Sequence, residues 1–283
     1  MTEQADLQFL ASFLKTETGI IIAAEKAYLV DSRLTPVANK HGLKTVAAVI
    51  DRLKLAPPAP LKKDVIEAMT TNETSFFRDG TPFEALKNHI FPGLVQRRAA
   101  GKRLRILCAA ASTGQEPYSI AMLFQEMGLK DYTLDIVATD LDSQVLQRAA
   151  SGVYTKFEVQ RGLPIKLMVK YFTQTGPDAW TLKPEIRRMV NFREYNLLNA
   201  DAGLGQFDVV FCRNVLIYFD PPTKKAVLER LARHMAPDAS LFLGGAETVF
   251  GITEAFAPGA GLRGVYVHKA AAAAATVVTK AAA

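Results

Sequence analysis

Apolar side chains recur at helical spacing through the first 70 residues of the chain. Intervals of three or four residues are found within 7–14, 28–37, 46–53 and 62–69. Gly19 and Gly42 are placed where helices commonly end. Because no alternating strand pattern appears in 1–70, this segment is predicted to be a small all-helical domain.

The pattern changes after a polar segment at 71–79, which we interpret as a linker. Apolar runs of strand length then alternate with helical segments. The runs are at 104–109, 134–139, 190–195, 207–212 and 240–243. A last run at 265–268 is predicted to be the final strand, either parallel or antiparallel to its neighbour. Such alternation predicts an α/β fold for 80–269, with a doubly wound, mostly parallel, Rossmann-like sheet covered by helices on both faces.

One segment of this second domain breaks the alternation. Tyr171–Thr173 and Trp180–Leu182 flank a Gly176-Pro177-Asp178 turn, a pattern typical of an antiparallel hairpin. We therefore expect a small inserted β-subdomain around 171–191. The alanine-rich tail at 270–283 has no core pattern and is expected to be disordered.

The composition of the chain indicates its cellular environment and the kinds of partner that it suits. Hydrophobic residues make up 49% of the chain, yet no apolar run reaches the ~18 residues of a membrane span, and the start, MTEQADLQF, lacks a signal-peptide pattern. Both cysteines, Cys108 and Cys212, lie in apolar runs, so we expect reduced core residues and a cytoplasmic protein. The net charge of +6 is compatible with nucleic acid, a membrane surface or an acidic protein as partner. Nucleic acid is the weakest of the three, because no dense basic tract is interleaved with aromatics.

The most informative stretch is LRILCAAASTGQEPYSIAM, from Leu104 to Met122. A buried strand, a turn of small residues at 110–114 and a helix N-terminus with Pro117 in its first turn would form a nucleotide-binding corner. The G-x-G-x-x-G and phosphate-loop patterns are both missing, and Glu116 would repel a phosphate. An acidic residue favours a ligand with hydroxyls or positive charge, and S-adenosylmethionine has both.

A second acidic residue follows at the end of the next strand. Asp140 lies 24 residues beyond Glu116, a spacing at which a carboxylate reaches ribose hydroxyls. The alternative is a helix N-cap, because a helical stretch begins at Ser143. Spacing alone leaves both interpretations open.

Four motifs together carry a family resemblance: TNETSFFRD, ASTGQEPYSIAM, ATDLD and FCRNVLIYF. In this order they resemble the CheR family, S-adenosylmethionine-dependent methyltransferases that esterify glutamates on bacterial chemoreceptors. One departure is Gln115, where the family usually has glutamate; Glu116 is kept. The resemblance implies a protein-glutamate O-methyltransferase that leaves S-adenosylhomocysteine as product.

The resemblance also implies roles for individual residues. Arg78 and Tyr218 are expected at the reacting centre, although an aromatic that merely closes a strand end is the structural alternative for Tyr218. Asn196 and Leu197 follow a strand where adenine would lie, and Arg213 and Asn214 follow another at the ligand-binding edge. The residues expected to bind the cofactor are Asn72, Thr74, Arg78, Glu116, Asp140, Asn196, Leu197, Arg213 and Asn214.

The expected partners follow from the same resemblance. The helical domain would face the receptor's methylation helices, with Arg33 and Lys40 as candidate contacts by position. Its basic residues are Lys26, Arg33, Lys40, Lys44, Arg52 and Lys54. In some members the inserted hairpin binds a receptor C-terminal pentapeptide. We expect a monomer without metal, nucleic acid or membrane insertion.

Two other functions are alternatives to a protein-glutamate methyltransferase. A methyltransferase for a small carboxylic acid would need neither a basic helical domain nor an inserted hairpin. A non-catalytic S-adenosylmethionine-sensing adaptor should have lost Arg78, Asn214 or Tyr218, and all three match the family. Gln115 is the one feature that favours the adaptor.

Overall fold

In its described residues, the N-terminal domain is a bundle of four helices with its own core. The computed structural model describes residues 4–22, 28–199, 203–259 and 261–270. The helices are α1 (Gln4–Thr18), α2 (Tyr28–Lys40), α3 (Val46–Lys54) and α4 (Ala59–Met69). Leu10, Leu14, Leu34 and Ile50 are fully buried between them, as the helical spacing of apolar residues predicts. Lys26 and the tail from 271 onward lie outside the described residues.

A helix with one irregular turn follows the linker. It comprises α5 (Thr81–Ala85), a π-helical turn (Leu86–Ile90) and α6 (Phe91–Arg97). Pro92 has no N–H to donate to the preceding turn, so the widened turn lies where the regular hydrogen-bond pattern is interrupted.

The chain then enters the main sheet. Its first elements are β1 (Arg103–Ala109), α7 (Gln115–Glu126), β2 (Thr133–Asp140) and α8 (Ser143–Ser151). α7 begins at Gln115, directly after Gly114, which is the N-cap and has the left-handed conformation. Glu116 is therefore in the first helical turn, where a negative charge is favourable.

The inserted subdomain is larger than the predicted hairpin. It contains β3 (Val153–Thr155), α9 (Lys156–Gln160), α10 (Ile165–Tyr171), β4 (Phe172–Gln174), β5 (Ala179–Leu182) and α11 (Pro184–Arg187). β4 and β5 pair antiparallel around the predicted turn, but β5 also pairs with β3, giving the order β3-β5-β4. Only three residues of β3 precede α9, too few for the alternation that identifies a strand.

The remaining elements complete the main sheet. They are β6 (Val190–Glu194), β7 (Phe207–Cys212), a 3-10 turn (Leu216–Tyr218), α12 (Pro221–Arg233), β8 (Met235–Leu243), β9 (Phe256–Pro258) and β10 (Val265–His268). The strand order is β6-β2-β1-β7-β8-β10-β9. The first five strands in this order are parallel, and β10 is antiparallel to β8 and β9. The predicted α/β sheet is thus confirmed; β9 was not predicted.

Both faces of this sheet are covered. Along β1, Ile106 and Cys108 belong to one core, and Leu107 and Ala109 to the core on the other side. This explains why the strand reads as a continuous apolar run. None of the helices in the described part of the chain has the length and apolar character needed to cross a bilayer.

Polar contacts join the helical bundle to the sheet domain. Glu67 of α4 accepts hydrogen bonds from the backbone N and the hydroxyl of Ser143, at 2.9 and 2.6 Å, and from the Gln144 side chain. Arg33 of α2 donates to the carbonyls of Met69 and Thr70, at 2.9 and 2.8 Å. The Arg33 guanidinium is therefore already engaged at the end of α4, where the linker begins.

Candidate active site

A cavity lies at the carboxyl ends of β6, β2, β1 and β7, the edge at which open α/β sheets bind ligands. Its empty volume is about 990 Å³, a value that includes the space open to solvent. All ten residues proposed from the sequence line it: Asn72, Thr74, Arg78, Glu116, Asp140, Asn196, Leu197, Arg213, Asn214 and Tyr218. The fold thus brings together residues that are up to 146 positions apart in the chain.

The turn after β1 forms the floor of this cavity. Ala110 and Ser112 have positive φ angles of 62° and 51°, so the backbone turns sharply between the strand and α7. The Ser112 N–H donates to Asp140 Oδ2 at 2.8 Å, and its hydroxyl donates to the Asn72 carbonyl at 2.7 Å. Gly114 cannot be replaced easily, because a Cβ there would lie 2.9 Å from the Ala149 Cβ at a φ of 91°.

Asp140 ends β2 and does not cap α8. The capping side chain is Asp142, which accepts from the N–H groups of Gln144 and Val145. Asp140 is 7% exposed and accepts from Ser112 N and from Asp142 N, at 2.8 and 3.0 Å. Burial raises the pKa of its carboxyl, and these N–H donors oppose the rise. Within the described chain no lysine or arginine pairs with it, so its remaining acceptor positions suit ligand hydroxyls.

Glu116 is held differently, by a buried ion pair. Its Oε2 lies 2.8 Å from Arg213 Nη1, and both side chains are buried. Burial raises the pKa of the Glu116 carboxyl, and the Arg213 guanidinium opposes the rise. The pair joins the start of α7 to the end of β7.

Arg213 also fixes the linker. Its Nη2 donates to the Arg78 carbonyl at 3.0 Å and to Asp79 Oδ2 at 2.7 Å. The Arg213 guanidinium lies 5.9 Å from the centre of the Phe83 ring. Since its side chain is 1% exposed, we assign Arg213 mainly to holding Glu116 and the linker in place.

The linker lines the cavity and ends in a turn at 76–79. Asn72 donates to Asp142 Oδ2 at 2.8 Å, and Arg78 donates to the Glu73 carbonyl at 2.9 Å. Phe76 is fully buried against Tyr154 and Phe172 of the inserted subdomain. The linker therefore contains both a phenylalanine that is buried in the core and polar side chains that line the cavity.

The helical domain supplies another wall. Thr18 and Ile20, at and after the end of α1, line the cavity. Asn196 donates to the Glu17 carbonyl at 2.7 Å and accepts from Leu198 N at 2.9 Å, so its amide joins the two domains. The Ile21 N–H donates to the Tyr218 carbonyl at 2.9 Å. This contact was not predicted, because no local sequence pattern indicates that α1 lies beside β6.

Tyr218 projects into the cavity from the segment after β7. Asn214 begins this segment with a φ of 59°, and the 3-10 turn at Leu216–Tyr218 follows. Among the described residues, those lining the cavity include neither histidine nor cysteine. Burial raises the pKa of both cysteine thiols, consistent with the predicted core role.

Comparison with known proteins agrees with this architecture. Residues 72–261 match the protein family described as CheR methyltransferase, SAM binding domain. Residues 5–70 match the family described as CheR methyltransferase, all-alpha domain. Chemotaxis protein methyltransferase Cher2 of Pseudomonas putida is 42% identical over 258 residues, covering 89% of this chain and 94% of the relative. Chemotaxis protein methyltransferase 1 of Pseudomonas aeruginosa is 42% identical over 250 residues, covering 87% and 90%. The resemblance predicted from the four motifs is confirmed: the chain belongs to the CheR methyltransferase family.

Proposed function

We propose that this S-adenosylmethionine-dependent methyltransferase esterifies glutamate side chains on the cytoplasmic part of chemoreceptors. The observation that supports this most directly is a cavity that combines the buried Asp140 carboxylate with Arg78 and Tyr218, without a histidine or cysteine among its described lining residues. The relatives named above as chemotaxis methyltransferases support the same substrate class.

The cofactor fits the residues present. Asp140 would accept hydrogen bonds from the ribose hydroxyls, and Asn196 and Leu197 would border the adenine. Glu116 and Arg213, being paired, would present little net charge while shaping the end of the cavity at α7. When bound, S-adenosylmethionine would supply an electrophilic methyl group on a positively charged sulfur.

The acceptor needs little activation. A glutamate with a pKa of about 4.3 is ionised at neutral pH, so its carboxylate oxygen is already a nucleophile. The residues of this chain then act by alignment, which can contribute ~7–11 kcal/mol. We assign Arg78 and Tyr218 to orienting the acceptor carboxylate, because both line the cavity and both side chains can donate hydrogen bonds to a carboxylate.

Labelled methyl transfer tests this function. The enzyme is incubated with tritium-labelled S-adenosylmethionine and cytoplasmic fragments of candidate chemoreceptors, and base-labile methyl esters are measured. Glutamine variants at the acceptor glutamates are the control and should take up no label. Cofactor binding with no transfer to any receptor would favour the adaptor interpretation, and transfer only to free carboxylic acids would favour the small-substrate enzyme.

Asp140→Ala is expected to weaken S-adenosylhomocysteine binding by about 1–3 kcal/mol, since a charge-assisted contact to the ribose is lost. Calorimetry on the folded variant measures this. Asp135→Ala is a matched control, because Asp135 lies on the same strand, away from the cavity, where it pairs with Arg103 and Arg105. Equal affinity in the wild type and Asp140→Ala would show that Asp140 has no ligand role.

The helical domain is proposed to attract an acidic receptor surface. Lys40 is already bound to Asp64 at 2.8 Å and Arg33 to the end of α4, so reversing either charge would also disturb the fold. Lys44 and Arg52 are exposed and make no ion pair with other described residues. Reversing both to glutamate is expected to lower the receptor association rate roughly 3- to 10-fold at low salt, without changing cofactor affinity.

The control for this experiment reverses Lys87 and Lys130 in the sheet domain, which are exposed and give the same change in net charge. Stopped-flow association at several salt concentrations compares the two double variants. Equal slowing in both would point to overall charge and would contradict a receptor-facing helical domain.

A further inference from the structure

A buried carboxylate organises the segment that carries Tyr218. Glu247 follows the end of β8 and is 9% exposed. Its Oε1 accepts from the N–H groups of Val215 and Leu216, at 2.9 and 2.7 Å. Its Oε2 accepts from Asn214 N at 2.8 Å and Gly244 N at 2.7 Å. Four backbone donors thus converge on one side chain.

Three of these donors are consecutive in the chain. Asn214, Val215 and Leu216 follow β7, and the positive φ of Asn214 turns their N–H groups towards one point. Such an arrangement is a concave anion-binding site made of backbone. Within the described chain no lysine or arginine pairs with Glu247, so the carboxylate is held by these N–H groups.

The anchored residues lead directly to the cavity. Asn214 and Val215 line it, and Leu216 begins the 3-10 turn that ends at Tyr218. The Tyr218 N–H donates to the Val215 carbonyl at 3.1 Å. Tyr218 therefore lies two residues after Leu216, the last residue whose N–H is bound to Glu247.

The approach of β8 to this segment requires a glycine. A Cβ on Gly244 would lie 2.7 Å from Glu247 Oε2, 3.0 Å from Asn214 N and 3.0 Å from Asn214 Nδ2. Gly245 is the adjacent residue, and a Cβ on it would meet nothing within 4 Å. The two neighbouring glycines therefore differ sharply in how much space they have.

We propose that Glu247 is a positioning residue for methyl transfer: it holds the backbone of Asn214–Leu216 and thereby sets the place of the Tyr218 phenol in the cavity. This inference rests on the proposed function, in which Tyr218 orients the acceptor. Glu247 itself does not line the cavity, so its effect on the reaction passes through the segment that it anchors.

Glu247→Gln keeps the size of the side chain but turns an amide NH2 towards donor groups. Turnover in the receptor methylation assay is expected to fall about tenfold or more, with a smaller change in S-adenosylhomocysteine affinity. Gly244→Ala should behave in the same direction and Gly245→Ala should match the wild type. A folded Glu247→Gln with wild-type turnover would overturn the proposal.

A double-mutant cycle separates positioning from general stability. If Glu247 acts through Tyr218, Glu247→Gln should change turnover less than threefold in a Tyr218→Phe background. Full additivity of the two losses would contradict the inference.

Amide hydrogen exchange keeps the anchor testable if the wild type proves to have no receptor activity. Exchange at Asn214, Val215 and Leu216 should speed up at least tenfold in Glu247→Gln and in Gly244→Ala, but not in Gly245→Ala. Unchanged protection would refute the anchor, whereas faster exchange in an enzyme without receptor methylation would refute the proposed function alone.

Discussion

Tyr218→Phe is expected to lower the turnover number for receptor methylation by about 10- to 100-fold while leaving S-adenosylhomocysteine affinity within about twofold. Tyr218 lines the cavity, and its ring packs against the core beside α12; the change keeps this ring and removes only the hydroxyl. If catalysis is mainly alignment, losing one orienting group acts on the chemical step. Single-turnover methylation together with calorimetry separates the two quantities.

A matched control is Tyr132→Phe. It removes a hydroxyl that donates to the Val95 carbonyl, just before β2 at the opposite edge of the sheet. Arg78→Ala should give a contrasting result, because Arg78 is part of the linker that lines the proposed cofactor cavity, so both turnover and cofactor affinity should fall. Full activity in Tyr218→Phe would remove the role assigned to the phenol.

The largest expected effect on stability is at Arg213. Arg213→Met should lower the free energy of unfolding by roughly 3–5 kcal/mol at neutral pH, because the buried Glu116 carboxylate loses its partner. The linker contacts to the Arg78 carbonyl and Asp79 are lost as well. Urea unfolding of the apoprotein measures the change.

The loss should depend on pH. Burial already raises the pKa of Glu116, and removing Arg213 removes the charge that opposes this rise. A carboxyl whose pKa is higher in the folded than in the unfolded state binds more protons when folded, so stability falls as pH rises between the two values. The free energy of unfolding that Arg213→Met loses relative to the wild type should therefore be smaller at pH 5 than at pH 8.

The double variant Arg213→Met with Glu116→Gln is the control, since it removes both charges of the pair. It should recover much of the stability lost in Arg213→Met and should show less pH dependence. A double variant that is as unstable as Arg213→Met at every pH would place the loss in the linker contacts.

Local patterns predicted the elements that depend on neighbouring residues. The helical bundle, the parallel strands and the corner at Ala110–Gly114 all follow from periodicity over a few residues. The position of Asp140 at a strand end was also predictable. The spacing did not show whether it caps α8, because Asp142 is an equally suitable capping residue two positions later.

Contacts between distant segments were not predictable in the same way. Arg33 is hydrogen bonded 36 and 37 residues away, and Asn196 is bonded to Glu17, 179 residues earlier. The buried position of Glu247 was not predictable either, since a single glutamate after a strand is ordinarily a surface residue. Such roles depend on the order of strands in the sheet, which one sequence does not fix.

The wall that α1 contributes to the cavity has a thermodynamic consequence. The end of α1 borders the proposed cofactor cavity through Thr18 and Ile20, and it contacts the Tyr218 segment through the Ile21 N–H. A receptor that displaces α1 on docking must therefore alter the affinity of the cavity for its ligand. By thermodynamic reciprocity, the bound ligand must change receptor affinity by the same factor, so the two binding equilibria would be coupled.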